Sequence, residues 1–223
     1  MMGFKDLLGI TPDKLILSIQ QSIYMIGIAL LIGALIGIPL GILLVLTKKD
    51  GLLKNTLLFF VLNNVINIIR SIPFVILLIF IMPMTRALMG TTIGSNAAIV
   101  PLVAYISPYI ARLVENSLLE VDKGIIEAAE AMGATTFQII WYFLLPEALG
   151  SLILALTTGT IGLIGASAMA GIIGGGGVGD LALTYGYQRM NTPLMVVTVI
   201  ILVVFVQIIQ SLGNYYSRKI RKN

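Results

Sequence analysis

The sequence predicts an all-α integral membrane protein with about five transmembrane helices and one polar loop facing the cytoplasm. Three observations predict it. Hydrophobic residues make up 58% of the 223 residues and charged residues 11%, whereas a soluble domain carries about a quarter charged residues. The mean hydropathy is +1.03. Apolar segments able to cross a hydrocarbon core, at about 20 residues per helix, flank a single long polar stretch at residues 115–147. The whole chain, 1–223, reads as one transmembrane domain.

The first span is expected at residues 16–46. Ser18, Gln20, Gln21 and Ser22 then lie near one membrane interface. Gly33, Gly37 and Gly41 clear a ridge of side chains, so that another helix can approach closely. That helix belongs either to the same subunit or to a second copy. Pro39 lies inside this span and is expected to kink it, because proline removes a backbone donor and crowds the preceding turn.

The second span is expected at 57–82. Asn63, Asn67 and Arg70 are spaced i, i+4, i+7 and share one helix face. An arginine deep in hydrocarbon costs at least about 2.5 kcal/mol on insertion scales, so this face must meet protein, water or backbone carbonyls. It is either a seam that fixes packing or the polar wall of a translocation path. The remaining spans are expected at 97–114, 148–173 and 194–212.

Orientation follows from the basic residues, which favour the cytoplasmic side. One set of flanks holds Lys48, Lys49, Lys54, Arg112, Lys123, Arg218, Lys219, Arg221 and Lys222; the other holds Lys5, Lys14, Arg86 and Arg189. The amino terminus is therefore expected outside, with the 115–147 loop and the carboxyl terminus inside. The amino terminus lacks an h-region with a cleavage site, so the first span is expected to be retained. The net charge of +4 is explained by this topology, and no nucleic-acid partner is expected. Neither cysteine nor histidine occurs. That excludes disulfides, Cys or His metal sites and a Ser-His-Asp triad.

Within the polar loop, Ile125-Ile126, Ala128-Ala129 and Ala131-Met132 have helical spacing, interrupted at Gly133. Glycine suits a helix-ending turn with positive φ. Thr135 or Thr136 can cap the next helix, and Pro146 is expected to open the fourth span. The prediction is a short helix, a turn and a second amphipathic helix at the cytoplasmic surface. Helices that lie on lipid are usually rich in Lys and Arg. This segment instead carries Glu115, Glu120, Asp122, Glu127 and Glu130 against Arg112 and Lys123, which fits a basic groove on a protein better.

Glu127-Ala128-Ala129, Gly133, Leu145 and Pro146 resemble the EAA loop of ABC-importer permeases, with Phe143 where the pattern has Ile. Arg70-Ser71-Ile72-Pro73-Phe74, Ala98 to Leu102, Ala111 to Asn116, Ser167-Ala168-Met169 and Tyr185-Gly186-Tyr187 extend the resemblance to methionine ABC importer permeases over nearly the whole chain. The resemblance implies a type I importer fold and a homodimer embedded in the plasma membrane. It implies two ATPase subunits that bind ATP and Mg below, and an extracytoplasmic methionine-binding protein above. It also implies that Glu127, Ala128, Ala129, Gly133, Leu145 and Pro146 belong to the element that couples the ATPase to the spans. No cofactor is expected in this chain.

Gly174-Gly175-Gly176-Gly177-Val178-Gly179-Asp180 contains GxGxxG, yet it follows a membrane span rather than a strand, so a nucleotide site is not expected. The run reads as a hinge or a tight re-entry. No GxxxxGK[ST] loop occurs, and the chain is not expected to be an enzyme. Met169 ends the small-residue stretch Gly159 to Ala170. By periodicity it is a packing or lipid-facing residue; the resemblance makes it a candidate gate at the pore constriction.

The expected function is ATP-driven import of D- or L-methionine or a close analogue. A permease for quaternary-ammonium osmoprotectants or polar amino acids is the alternative, distinguished by the ligand of the cognate binding protein. An ATPase-independent carrier or channel would carry buried Asp, Glu or His for ion coupling, and only Arg70 is expected deep in a span.

Overall fold

The computed structural model describes residues 8–221. Lys5 and Lys222, used for orientation, lie outside them. In chain order the helices are α1 (Pro12–Thr47), α2 (Thr56–Ser71), α3 (Phe74–Phe80), α4 (Met82–Met89), α5 (Ser95–Leu119), α6 (Lys123–Ala131), α7 (Thr136–Ile173), α8 (Gly177–Asp180) and α9 (Thr192–Arg221). A π-helical segment, Leu181–Tyr187, follows α8. No strand occurs among the described residues.

α1, α5, α7 and α9 are each long and apolar enough to cross a membrane; α2 and α3 make a fifth span only when taken together as a broken pair. The segment expected at 57–82 is thus not one helix. Pro73 is the reason. It has no N–H to continue the ladder, and it disfavours helical geometry at the residue before it. Pro73 itself is extended (φ −54°, ψ 136°), and its carbonyl accepts from Ile76 and Leu77 to start α3. By contrast α1 runs through Pro39 without interruption.

The chain divides into two compact units. One comprises the amino-terminal stretch through Gly33, Ile72–Ile106 and Thr160–Ile209. Its apolar cluster joins Leu8, Ile10, Leu181 and Leu194, with Leu15, Tyr185 and Val197 packed against it. Asn191 ties this cluster down by donating to the Leu8 carbonyl at 2.8 Å. Phe74 meets Tyr105 edge to face at 5.3 Å between ring centroids, a favoured aromatic geometry.

The other unit comprises Ala34–Ser71, Ser107–Gly159 and the carboxyl-terminal stretch from Gln210. Leu44, Ile66 and Ala111 form its cluster, with Leu40, Phe59 and Leu62 against them. The glycine ridge of α1 packs within the subunit. A Cβ on Gly37 would lie 2.6 Å from the Ser107 carbonyl oxygen, and one on Gly41 2.6 Å from that of Ala111. Both positions need glycine because α5 backbone occupies the space. In the same unit Arg221 donates to the Ser151 hydroxyl at 3.0 Å, and that hydroxyl donates to Glu120 at 2.5 Å.

Candidate functional site

The polar loop is shorter than expected and more fully helical. α5 continues to Leu119, so residues 115–119 belong to it. Asp122 caps α6 by accepting from the Gly124 amide at 2.7 Å, satisfying a donor that the first turn leaves free. Ala129 is completely buried, while Glu127 and Ala128 are exposed. One face of the short helix is anchored and the other is presented.

α6 ends in a paired turn. The Ala134 amide donates to Ala129 and the Gly133 amide to Glu130, with Gly133 at φ +79°. This is the pattern of a left-handed helix stop. A Cβ on Gly133 would meet nothing within 4 Å, so the requirement for glycine is conformational rather than steric. Thr135 then forms a capping box with Gln138, two reciprocal bonds that start α7.

No separate second helix follows. α7 runs continuously from Thr136 into the fourth span, through a π-helical segment at Ile139–Leu144. Pro146 lies just beyond that segment, inside the helix rather than at its start. Its ring would crowd the carbonyl one turn back, and the widened turn, closed by Leu145 donating to Ile140, makes room. Leu145 is half-buried and Pro146 exposed. Beside α6, Ile126, Glu127 and Glu130 line a cleft of about 370 Å³ together with Lys48, Asp50 and Leu144. Met132, Phe137, Trp141 and Tyr142 are all more than half exposed around the turn.

The polar face of α2 is not assembled around Arg70. That residue is exposed in the last turn of the helix, 5.7 Å from the Tyr109 ring. The central cation is Arg112, on α5. Its guanidinium donates to Asn63 at 2.7 Å, to Asn67 at 2.8 Å and to Glu115 at 2.5 Å. Glu115 is only 4% exposed; it is a buried counter-ion and not part of the acidic loop surface. Arg112, counted above among the flanking charges from which orientation is expected, is likewise paired within its own unit. The signal was available: Arg112 and Glu115 stand i, i+3 on a helix, opposite two asparagines spaced i, i+4. Arg70, expected deep in a span, is exposed at the end of α2, and the buried ionisable pair is Arg112 with Glu115 on α5.

Met169 ends the α-helical part of α7 and is 46% exposed. The glycine run beyond it is a tight return, not a loose hinge. Gly174, Gly176 and Gly177 have φ of 69°, 76° and 82°. The Gly177 and Val178 amides donate to Gln21 and Ser22 of α1, both at 2.9 Å. Ser95 donates to the Gly175 carbonyl at 3.0 Å. The polar residues near the start of α1 thus hold the turn. Gly171 and Gly179 bring the end of α7 and the start of α8 backbone to backbone: a Cβ on Gly171 would lie 2.6 Å from the Asp180 nitrogen.

Residues 33–222 match the family described as binding-protein-dependent transport system inner membrane component. The probable D-methionine transport system permease protein MetI of Vibrio cholerae is 48% identical over 211 residues, 95% of this chain and 94% of that protein. The methionine import system permease protein MetP of Bacillus subtilis is 46% identical over 180 residues, 81% of each chain. A chain from an inward-facing structure of the MetNI methionine ABC transporter superposes with a TM-score of 0.91 at 42% identity, covering 94% of this chain and 97% of that one. With helices and loop arranged as described and the match spanning most of its length, the chain belongs to the binding-protein-dependent transport system inner membrane component family.

Proposed function

We propose that this chain is the membrane-spanning subunit of an ATP-driven importer for methionine, in the D or L form, or a close analogue. Two copies form one translocation path. Two ATPase subunits bind below, holding ATP and Mg, and an extracytoplasmic methionine-binding protein delivers substrate from above. The chain itself carries no catalytic residue; its work is mechanical and selective. The observation that carries this reading is α6: a capped helix with Ala129 buried, Glu127 and Ala128 presented, and a left-handed stop at Gly133. Such a helix is rigid enough to transmit a push and is bordered by exposed Met132, Phe137 and Trp141, apolar surface of the kind that protein partners cover. The methionine assignment rests on the relatives, whose names specify methionine at 46–48% identity.

Reconstitution tests it. The permease is placed in proteoliposomes with the ATPase and binding protein that co-purify with it from its native membrane, with ATP inside. Accumulation of labelled methionine should require all three proteins and stop when the ATPase is inactivated. Uptake of glycine betaine with no uptake of methionine would replace the substrate assignment. Uptake without ATP would remove the importer reading altogether.

A further inference from the structure

Asp180 is a half-buried carboxylate with no function assigned above. It and Asp13 are the only acidic residues among the described residues of their unit. Oδ1 accepts a hydrogen bond from the Thr184 hydroxyl at 2.8 Å. Asp180 forms no ion pair among the described residues. Lys14 and Arg189, two cations of the same unit, both stack on the Tyr185 ring, at 3.5 and 4.3 Å from its centroid. The second oxygen of Asp180 accepts no hydrogen bond from the described residues, which leaves it available to a donor.

Asp180 lines a cavity. Asp180, Thr184, Tyr187 and Gln188 line a space of about 280 Å³ with Ile172 and Leu183, close to the lower end of ligand-pocket sizes, about 300–1,000 Å³. The lining is divided by chemistry. Asp180 and Thr184 offer acceptors for an ammonium group. The Gln188 amide and the Tyr187 hydroxyl offer donors for a carboxylate. Ile172 and Leu183 offer an apolar wall. The backbone contact at Gly171 and Gly179 sets Asp180 beside the turn that begins immediately after Met169.

We propose that this cavity is a transient binding site for a zwitterionic α-amino acid, with the free oxygen of Asp180 taking its ammonium group. The site is a waypoint for the cargo next to the candidate gate. It rests on the amino-acid import reading above for its natural ligand, while its ammonium specificity rests on the cavity alone.

Binding is measured by saturation-transfer NMR on the intact permease–ATPase complex in nanodiscs, without binding protein. Three probes are used: methionine, methioninamide, which keeps the ammonium group, and the hydroxy analogue 2-hydroxy-4-(methylthio)butanoate, which lacks it. Wild type should bind the first two, and the hydroxy analogue about tenfold more weakly, as expected for loss of a charge-assisted hydrogen bond. Asp180→Asn should weaken methionine and methioninamide by about tenfold or more and leave the hydroxy analogue unchanged. Asp13→Asn should change none of the three. Unchanged methionine binding in Asp180→Asn would overturn the proposal. So would equal loss of all three probes, which would mean the carboxylate only shapes the fold. The two readings separate cleanly. Wild-type methionine uptake with an inert Asp180→Asn phenotype defeats this site alone. Absence of methionine uptake in wild type defeats the substrate assignment, while methioninamide binding still decides the cavity.

Discussion

Arg112 is held by three acceptors at once, and this makes each of them depend on the others. Removing one member of a buried ion pair leaves its partner charged in a poor solvent and costs about 3–5 kcal/mol, whereas replacing both with apolar residues of similar volume is often neutral. Arg112→Leu should therefore lower the unfolding temperature of the solubilised permease more than the double change Arg112→Leu with Glu115→Leu. A double variant as unstable as the single one would show that Arg112 contributes packing rather than charge pairing. The same cluster marks the limit of what could be read in the residues. Asn63 and Asn67 share one face of α2, and the i, i+7 spacing makes Arg70 their expected companion because it lies on the same helix. Their actual partner, Arg112, is 45 positions from Asn67 in sequence, and periodicity within one helix carries no information about it. Glu115 was lost for a related reason. Hydropathy ends a span at its first carboxylate, while a helix continues wherever that charge is compensated.

At the scale of the element, the Gly133 stop and the threonine cap after it are legible in the sequence, since the determinants of this turn are local; the Asp122 cap and the Gln138 half of the capping box are found only in the structure. Asp122, Gly133, Thr135 and Gln138 each act on backbone within a few positions of themselves. The continuity of α7 and the break at Pro73 were not legible, because they depend on how one proline is accommodated and the other is not. Pro146 follows a widened turn and is absorbed; Pro73 ends a helix. The turn yields a direct prediction. Gly133→Leu must hold a side chain at φ near +79°, a strain of about 1–2 kcal/mol, which the loop can relieve only by shifting α6. Membrane insertion should persist, while ATPase association weakens or ATP hydrolysis continues without uptake. Glu127→Lys reverses the charge on the presented face and should weaken the association more at low salt than at high salt, as expected for screened charges. Co-purification and coupled uptake assays read both effects. Wild-type coupling in the two variants would remove α6 from the transmission path.

At the scale of the whole molecule, the absence of native cysteine makes topology and assembly directly accessible. Asp13 and Lys219 are exposed near the two ends of the described chain. With Asp13→Cys and Lys219→Cys, a membrane-impermeant thiol reagent on intact cells should label position 13 and spare position 219; the reverse would turn the loop and its coupling role to the wrong side. Assembly is tested at Met169. Its side chain is 46% exposed although it ends a helix of small residues, and the adjoining Ala168 is pressed from the other side by Gly179. This backbone is therefore braced within its own unit, while the Met169 side chain is in part open. A flexible, unbranched thioether fills irregular gaps and releases them readily, the property wanted where two copies close a path between them. Met169→Cys should accordingly form an oxidised dimer in the resting membrane. Uptake should stop on cross-linking and return on reduction. A braced position also predicts selectivity: Cys at Ile172, more exposed than Met169 but in the 3-10 turn that closes α7, should cross-link less efficiently. If Met169→Cys stays monomeric in membranes where the permease dimer is otherwise captured, Met169 is an ordinary packing or lipid-facing residue and not the gate.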